Sequence, residues 1–399
     1  MKKLLVVALA LVMVFAMAAC GEETGNGGGD VAAEGNIKIG WVGSITGDQA
    51  VFGTAESNTI KMLIDKKNAE GGLLGRQLEF VYYDVKGDVN ETINATKRLV
   101  SQDKVAGIIG PNASNLAIAM SGVLTEAKTA GIATVATNMK VTVAENGSLN
   151  PYSFRVCFID PYQGSVAASW AIDKLGYKTA AILYDISSDY AQGFRQFFVE
   201  YFEKAGGKIV ADESHNTGDT DFKAQLTNIK KANPDCILLP GFYKEVALIC
   251  KQARDLGIDA TFLGGDGWQS ETLNEMGGKA LDGAYVVNHL DDADPDVQWL
   301  KELYRETYGA DATVELNTYM GNDAFEILCA AIEKAGTDDP EAVAAALTEV
   351  EVKGVTGTIK LSPEDHNPVG KEAAIQQYVY DEATKRVGPV FVEKWSPVL

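Results

Sequence analysis

Histidine and closely spaced cysteine are scarce in this sequence, and their scarcity argues against a metal site. The 399 residues include three histidines, at positions 215, 289 and 366, and five cysteines. The histidines stand far from one another, and no two cysteines form a CxxC pair, so no set of side chains has the spacing of metal ligands. We predict neither a bound metal nor a cofactor.

Positive charge is also in short supply. Lysine and arginine total 35 residues against 55 aspartates and glutamates, which gives a formal net charge of −20. Such a chain repels the phosphates of nucleic acids and the anionic surface of a membrane. We therefore predict no nucleic-acid partner and no basic membrane-binding face.

The motifs that mark common α/β enzymes are missing. The sequence has no GxSxG nucleophile elbow, no GxxxxGK[ST] phosphate loop and no GxGxxG after a strand. The glycine-rich GGLLGR at 71–76 follows a predicted helix and is typical of a turn. The adjacent carboxylates Asp291 and Asp292 fall in an acidic loop, where we expect them to be solvated. The sequence thus argues against an enzyme.

The N-terminal apolar run is too short for a standard bilayer span. Residues 4–19 are 16 uncharged, mostly apolar residues that follow Lys2 and Lys3, whereas a transmembrane helix needs about 20. This pattern predicts an export signal over 1–19. The sequence MAAC at 17–20 resembles a bacterial lipobox, which implies that Cys20 is lipidated. An ordinary cleaved signal peptide and a short membrane anchor are the alternatives.

The glycine-rich stretch after Cys20 predicts a tether. Residues 21–36 contain six glycines and no apolar period, so the segment 20–36 should be flexible. We expect an extracytoplasmic protein that is held at the bacterial cell membrane only by the lipid on Cys20.

The remaining 360 or so residues are enough for two domains. Their alternation of strand-like and helix-like segments stops once and then starts again. Short runs rich in Val, Ile and Ala alternate with segments of helical period, which predicts α/β lobes with parallel sheets. The first set of predicted strands is 37–43, 78–84, 105–110 and 132–137. The second set is 179–185, 208–213, 236–241, 261–266 and 283–288. A helix-rich block follows at 295–349, and further strands begin near 357.

The four cysteines beyond Cys20 lie at 157, 236, 250 and 329. Cys157, Cys236 and Cys329 fall within apolar segments. Disulfides and buried free thiols both remain open for these residues.

Polar residues follow three of the predicted strands, where doubly wound lobes bind their ligands. Ser114 begins a predicted helix in IIGPNASNLA, Thr137 follows a strand in IATVATNMK, and Asp266 lies between glycines in FLGGDGWQS. Each has an ordinary alternative role as a helix cap or a turn residue. Taken together, two hydroxyls on one lobe and a carboxylate on the other predict a cleft that binds a zwitterion. Burying either charge of the ligand unpaired would be costly, so both lobes must close on it.

Several ordered motifs resemble the leucine/isoleucine/valine-binding protein family of type I periplasmic binding proteins, which serve ATP-driven (ABC) amino-acid importers. The resemblance runs from about Ile37 to the C-terminal region. Its motifs are GSITGDQAVFG, AEGGLLGRQLEFVYYD, GPNASNLA, GIATVATNMKVT, DTDFKAQLTNIKKANPDCILLPGFYKEVALICKQARDLGI and FLGGDGWQS.

The resemblance implies a role for each residue of the ligand clamp. Ser114 and Thr137 would bind the ligand carboxylate, and the backbone carbonyl of Val135 would accept from the amino group. Asp266 would bind the ammonium group, in place of the family's frequent glutamate. Tyr190 would cover the ligand from the second lobe.

The resemblance also implies a side-chain pocket. Phe52 would line it, Phe242 stands where a tyrosine is common, and Trp268 adds a ring beside Asp266. Without the resemblance, we would assign Phe52, Tyr190 and Trp268 to a core or rim. Ala113 and Met139 differ from the family, which often has a disulfide cysteine and a proline at these positions.

The implied architecture is two doubly wound parallel-sheet lobes joined by a three-strand hinge, the type I periplasmic-binding-protein fold. Lobe 1 would comprise 37–156 plus 285–360, and lobe 2 would comprise 157–284 plus 361–399. The implied function is capture of an amino acid, branched-chain or otherwise apolar or aromatic, and its delivery to ABC permease subunits. A tethered ligand-sensing receptor and a binder of a small amide or another solute are the alternatives.

Overall fold

A computed structural model describes residues 35–397 of the chain. The predicted export signal, Cys20 and nearly all of the predicted tether lie outside the described residues. Two separate parallel or mostly parallel sheets define two lobes, as the sequence predicted.

The sheet of lobe 1 is entirely parallel. Its strands are β1 (Ile37–Gly43), β2 (Leu78–Asp84), β3 (Gly107–Ile109), β4 (Gly131–Ala133) and β5 (Ser153–Arg155). They lie in the order β2-β1-β3-β4-β5. Ile39 and Trp41 of β1 pack into one core, whereas Val42 packs into another on the opposite face, because successive side chains of a strand point to opposite faces.

The sheet of lobe 2 has seven strands. Five of them are β6 (Thr179–Asp185), β7 (Lys208–His215), β8 (Cys236–Leu238), β9 (Thr261–Gly264) and β10 (Tyr285–Asn288). A separate hairpin of β11 (Glu351–Gly354) and β12 (Gly357–Lys360) precedes the last two, β13 (Ala373–Asp381) and β14 (Arg386–Trp395). The order is β14-β13-β10-β9-β8-β6-β7, and β13 runs antiparallel to both of its neighbours.

Helices cover both faces of both sheets. The first three are α1 (Ala50–Ala69), α2 (Val89–Arg98) and α3 (Ser114–Ala127). Lobe 2 carries α4 (Asp160–Ser169), α5 (Asp189–Lys204), α6 (Lys223–Ala232), α7 (Tyr243–Asp255) and α8 (Glu271–Gly277). The chain then forms α9 (Pro295–Tyr308), α10 (Leu316–Ala335) and α11 (Pro340–Ala346). These three pack into the core of lobe 1 beside α1 and β1.

The chain passes between the lobes three times, after β5, after β10 and after β12. The second passage differs from the sequence-based boundary. The sequence predicts that residues from 285 onward belong to lobe 1, but Tyr285 and Val286 pair with β9, and all four residues of β10 pair with β13. The strand therefore belongs to the sheet of lobe 2, and the chain leaves that lobe after Asn288.

The four cysteines in the described part of the chain are buried and free. No described helix is both long enough and apolar enough to span a bilayer.

Candidate functional site

A cavity lies between the lobes at the carboxyl ends of their parallel strands. The space between its protein atoms is about 310 Å³, part of which is open to solvent. A space of this size suits a small ligand bound between the lobes. Its lining residues are Phe52, Asn112, Ser114, Val135 and Asn317 from lobe 1, and Tyr190, Phe242, Asp266 and Gly267 from lobe 2.

Ser114 lines the cavity at the N-terminus of α3. The N-cap position belongs to Ala113, which makes no side-chain cap, so Ser114 is not the capping residue considered from the sequence. Its Oγ accepts a hydrogen bond of 3.2 Å from the backbone N–H of Asn138. The first N–H groups of a helix lack partners within the helix and favour anions. The hydroxyl and this first turn can therefore bind a carboxylate together.

Val135 and Thr137 follow β4, but only Val135 lines the cavity. Thr137 is fully buried, and its Oγ1 has no hydrogen-bond partner among the described residues. Its carbonyl oxygen accepts from the N–H of Asp160 at 2.9 Å. Thr137 thus connects the end of β4 to the first passage between the lobes.

Asp266 lines the cavity from lobe 2 and starts a short turn after β9. Its Oδ2 lies 3.0 Å from Nε2 of His289. Burial lowers the pKa of His289 despite the adjacent carboxylate, so the imidazole is neutral near pH 7 and donates its N–H. A neutral donor orients Asp266 without cancelling its charge, and that charge remains for a cationic group of a ligand.

Three aromatic rings close the cavity. Tyr190 and Phe242 of lobe 2 have ring centroids 5.5 Å apart, and Phe52 of lobe 1 lies 6.4 Å from Phe242. Phe52 also meets Tyr243 edge to face at 5.2 Å. Burial, assisted by the Asp266 charge, raises the pKa of Tyr190 well above its ordinary value, so its phenol stays neutral. The rings join the lobes and can cover an apolar part of a ligand.

Trp268 does not line the cavity. It is fully buried in the core of lobe 2, and its Nε1 donates to the carbonyl oxygen of Leu239 at 3.0 Å. The missing side chain of Gly264 provides the space that the indole occupies. Its place beside Asp266 in the sequence predicted a ligand contact, but the turn sends the ring into the core.

Sequence reasoning missed four residues at or beside the cavity: Asn112, Gly267, His289 and Asn317. Asn112 stands two residues before Ser114, in the turn between β3 and α3, so its position was a usable signal. A Cβ on Gly267 would lie 2.6 Å from the carbonyl oxygen of Gly241, and this close approach favours glycine. His289 follows β10, and Asn317 lies on α10, far along the chain from the other lobe 1 residues.

A second buried carboxyl group lies behind the cavity. Asp160 is fully buried at the start of α4, and neither of its side-chain oxygens has a partner among the described residues. Burial, with the charge of Asp266 adding to it, raises its pKa to about 8. Asp160 is therefore mostly protonated at pH 7.

Direct contacts hold the lobes together around the cavity. Nδ2 of Asn138 donates to the carbonyl oxygen of Asp189 at 2.7 Å. On the other side, Tyr243 donates its hydroxyl to the backbone oxygen of Asp48 at 2.6 Å, and Lys244 pairs with the Asp48 carboxylate at 2.8 Å. These bonds show that the described structure is a closed form.

Two doubly wound lobes, three passages of chain and a ligand-sized cavity between them define a two-lobe solute-binding protein. The model of the periplasmic binding protein family matches residues 36–383. The chain belongs to this family.

Individual relatives are similar over most of their length. A Leu/Ile/Val-binding protein of Rhizobium johnstonii is 31% identical over 79% of this chain and 84% of its own. The crystal structure of a leucine-binding protein, LivK, from Thermotoga maritima has a TM-score of 0.81 at 30% identity, covering 90% of this chain and 99% of its own. The branched-chain amino-acid transporter protein LivJ of Streptococcus pneumoniae, solved with isoleucine, has a TM-score of 0.80 at 30% identity, covering 90% and 100%.

Proposed function

We propose that this protein captures a small α-amino acid between its lobes and delivers it to the permease of an ABC importer. The observation that carries the proposal is that one cavity offers partners for both charges of an amino acid. The N-terminus of α3 and Ser114 offer donors for a carboxylate, and Asp266 offers an uncompensated charge for an ammonium group. The relatives named for leucine, isoleucine and valine support this class of ligand.

The proposed binding mode uses both lobes. Ser114 and the first turn of α3 hold the carboxylate, and the carbonyl oxygen of Val135 and the carboxylate of Asp266 hold the ammonium group. Thr137 supports the carboxylate end from behind, since it does not line the cavity. Each charge of the zwitterion loses water on closure, so each needs its partner for binding to be favourable.

The proposed location rests on the N-terminal sequence. A lipid on Cys20 and the tether 20–36 would keep the lobes at the outer face of the membrane, within reach of a permease. The protein would then act by closing on its ligand and docking as a closed form.

A binding assay on the purified chain tests the proposal. The chain is unfolded and refolded to remove any solute carried through purification, then screened by thermal unfolding and calorimetry against the common amino acids, small amides and aromatic acids. We expect at least one α-amino acid to stabilise it, by about 2.7 kcal/mol at a hundred times its Kd. Asp266→Ala should weaken that binding by about tenfold or more, since a charged hydrogen bond is lost.

The matched control is Asp259→Ala, which removes an exposed carboxylate of the same lobe and should leave the affinity unchanged. Binding only of compounds that lack either an amino or a carboxylate group would contradict the proposal.

A further inference from the structure

Two carboxamide side chains line the cavity in addition to the residues assigned to the amino-acid clamp. Asn112 and Asn317 are only 6% and 2% exposed, and both belong to lobe 1. Phe52 and Phe242 line the same cavity. Outside the proposed clamp, the side chains of the lining that remain to meet a ligand side chain are therefore two aromatic rings and two amides.

Each amide uses part of its hydrogen-bonding capacity within the protein. Nδ2 of Asn317 donates to Oε2 of Glu56 at 2.9 Å, and the same carboxyl group accepts from Trp41 and Thr134. This buried network fixes Asn317 in place.

Asn112 is held from the other side, since its Nδ2 donates to Oε1 of Gln49 at 3.2 Å. Among the described residues, no group donates to the side-chain oxygen of either asparagine. Turning an amide about would exchange its oxygen for an NH₂ group, so a hydrogen-bonding atom faces the cavity in both orientations.

An apolar ligand side chain would be a poor match for this lining. It would remove water from two amide groups and return no hydrogen bond, and a buried polar group left unpaired costs about 1 to 3 kcal/mol. A side chain with a hydroxyl or carboxamide group would satisfy the amides, while its carbon atoms pack on the rings. Asp266 is the only aspartate, glutamate, lysine, arginine or histidine in the lining, so no second such group there favours a charged ligand side chain.

We propose that the cavity selects a small α-amino acid whose side chain is uncharged and carries a hydroxyl or carboxamide group. This inference rests on the proposed function and narrows its ligand class from small α-amino acids in general to those with side chains such as threonine and asparagine. The inference rests on the presence of Asn112 and Asn317 in the same cavity lining as Phe52 and Phe242.

Pairs of amino acids of equal shape test the inference by calorimetry on the refolded full chain. Threonine and valine differ by a hydroxyl in place of a methyl group, and asparagine and leucine differ by an amide in place of an isopropyl group. We expect the polar member of at least one pair to bind about tenfold tighter or more, because sites built to bond a polar group reject ligands without it.

Variants assign the preference to the asparagines. Asn112→Leu and Asn317→Leu should each reduce the ratio of polar to apolar affinity by about tenfold. Asn112→Leu is the safer variant, since Asn317 also supports Glu56. Equal or tighter binding of valine and leucine by the unmodified protein would overturn this inference and leave the proposed function standing. Failure of every α-amino acid to bind would overturn both.

Discussion

At the scale of single residues, the cavity depends on groups that the ligand would not touch. His289 holds Asp266 through one nitrogen, and its ring stacks on Phe158 with centroids 3.6 Å apart. Trp268 fills the core behind the same turn. The carboxylate is thus fixed before a ligand arrives, which lowers the entropy lost on binding.

Asp160 makes the stability of the protein depend on pH. Its ordinary pKa is near 4, and burial raises it to about 8 in the folded chain. Between these values the folded protein binds a proton that the unfolded chain has released, so stability falls as the pH rises from about 4 to 8. The groups that face Asp160 and shift its pKa are Thr137, Arg155, Asp189 and Asp266.

We expect Asp160→Asn to remove this dependence. The amide has the shape of the protonated acid but cannot ionise, so the variant should lose less stability than the unmodified protein between pH 5 and pH 8, by about 1 kcal/mol or more. Urea unfolding at the two pH values measures the difference. Other titrating groups, such as Glu315 with a pKa raised by burial to about 8, are common to both proteins and cancel. Equal losses in both proteins would contradict the assignment.

At the scale of elements, α1 approaches the end of β1 so closely that a glycine is needed. A Cβ on Gly53 would overlap the carbonyl oxygen of Ser44. Phe52, which lies next to Gly53, carries the aromatic contact between the lobes. The packing of this helix turn therefore sets the position of one wall of the cavity.

Two glycines in helices should respond oppositely to alanine. Gly53→Ala should destabilise the protein by about 1 to 3 kcal/mol through overpacking and weaken ligand binding by displacing Phe52. Gly122→Ala, on α3, should stabilise it by about 0.5 to 1 kcal/mol, because nothing lies within 4 Å of the new methyl group. Denaturant unfolding of both variants gives the comparison. Equal effects would mean that the approach of α1 to Ser44 is not a constraint.

Much of the fold and of the candidate site could be predicted from the sequence. Strand–helix alternation predicts most strands of both lobes and the carboxyl ends at which the ligand site forms. Together with the family resemblance, it predicts six of the nine residues that line the cavity. Asn317 could not be predicted, since its helix reaches the cavity only after the chain returns from lobe 2. The direction of the Trp268 ring depends on one turn and on the space at Gly264. Hydrophobic periodicity in the sequence does not predict this direction. β5 was missed because its residues, Ser-Phe-Arg, form no apolar run, unlike those of the equally short β3 and β4.

At the scale of the whole molecule, closure depends on a few contacts between the lobes. Tyr243 combines two of them, since its ring meets Phe52 and its hydroxyl donates to the backbone of Asp48. Three passages of chain connect the lobes behind the cavity, so these front contacts must break for a ligand to enter.

Tyr243→Phe should shift the balance toward the open form. It keeps the ring and removes one hydrogen bond worth about 1 kcal/mol, so we expect about fivefold weaker ligand binding, mainly through faster dissociation. Stopped-flow measurement of the dissociation rate tests this.

Tyr177→Phe is the control, because it removes the bond of Tyr177 to Thr261, 2.6 Å long and within lobe 2. It should lower stability and leave the dissociation rate unchanged. Similar rates for both variants and the unmodified protein would exclude the Tyr243 bond from closure.

The three passages between the lobes also govern the order in which the protein can be made. Lobe 1 receives α9, α10 and α11 only after ten strands have been synthesised, and lobe 2 receives β13 and β14 at the very end. Contacts between residues so distant in sequence form late. A growing chain therefore exposes the apolar surfaces of two unfinished cores until its last strands emerge, and such surfaces favour aggregation before folding is complete.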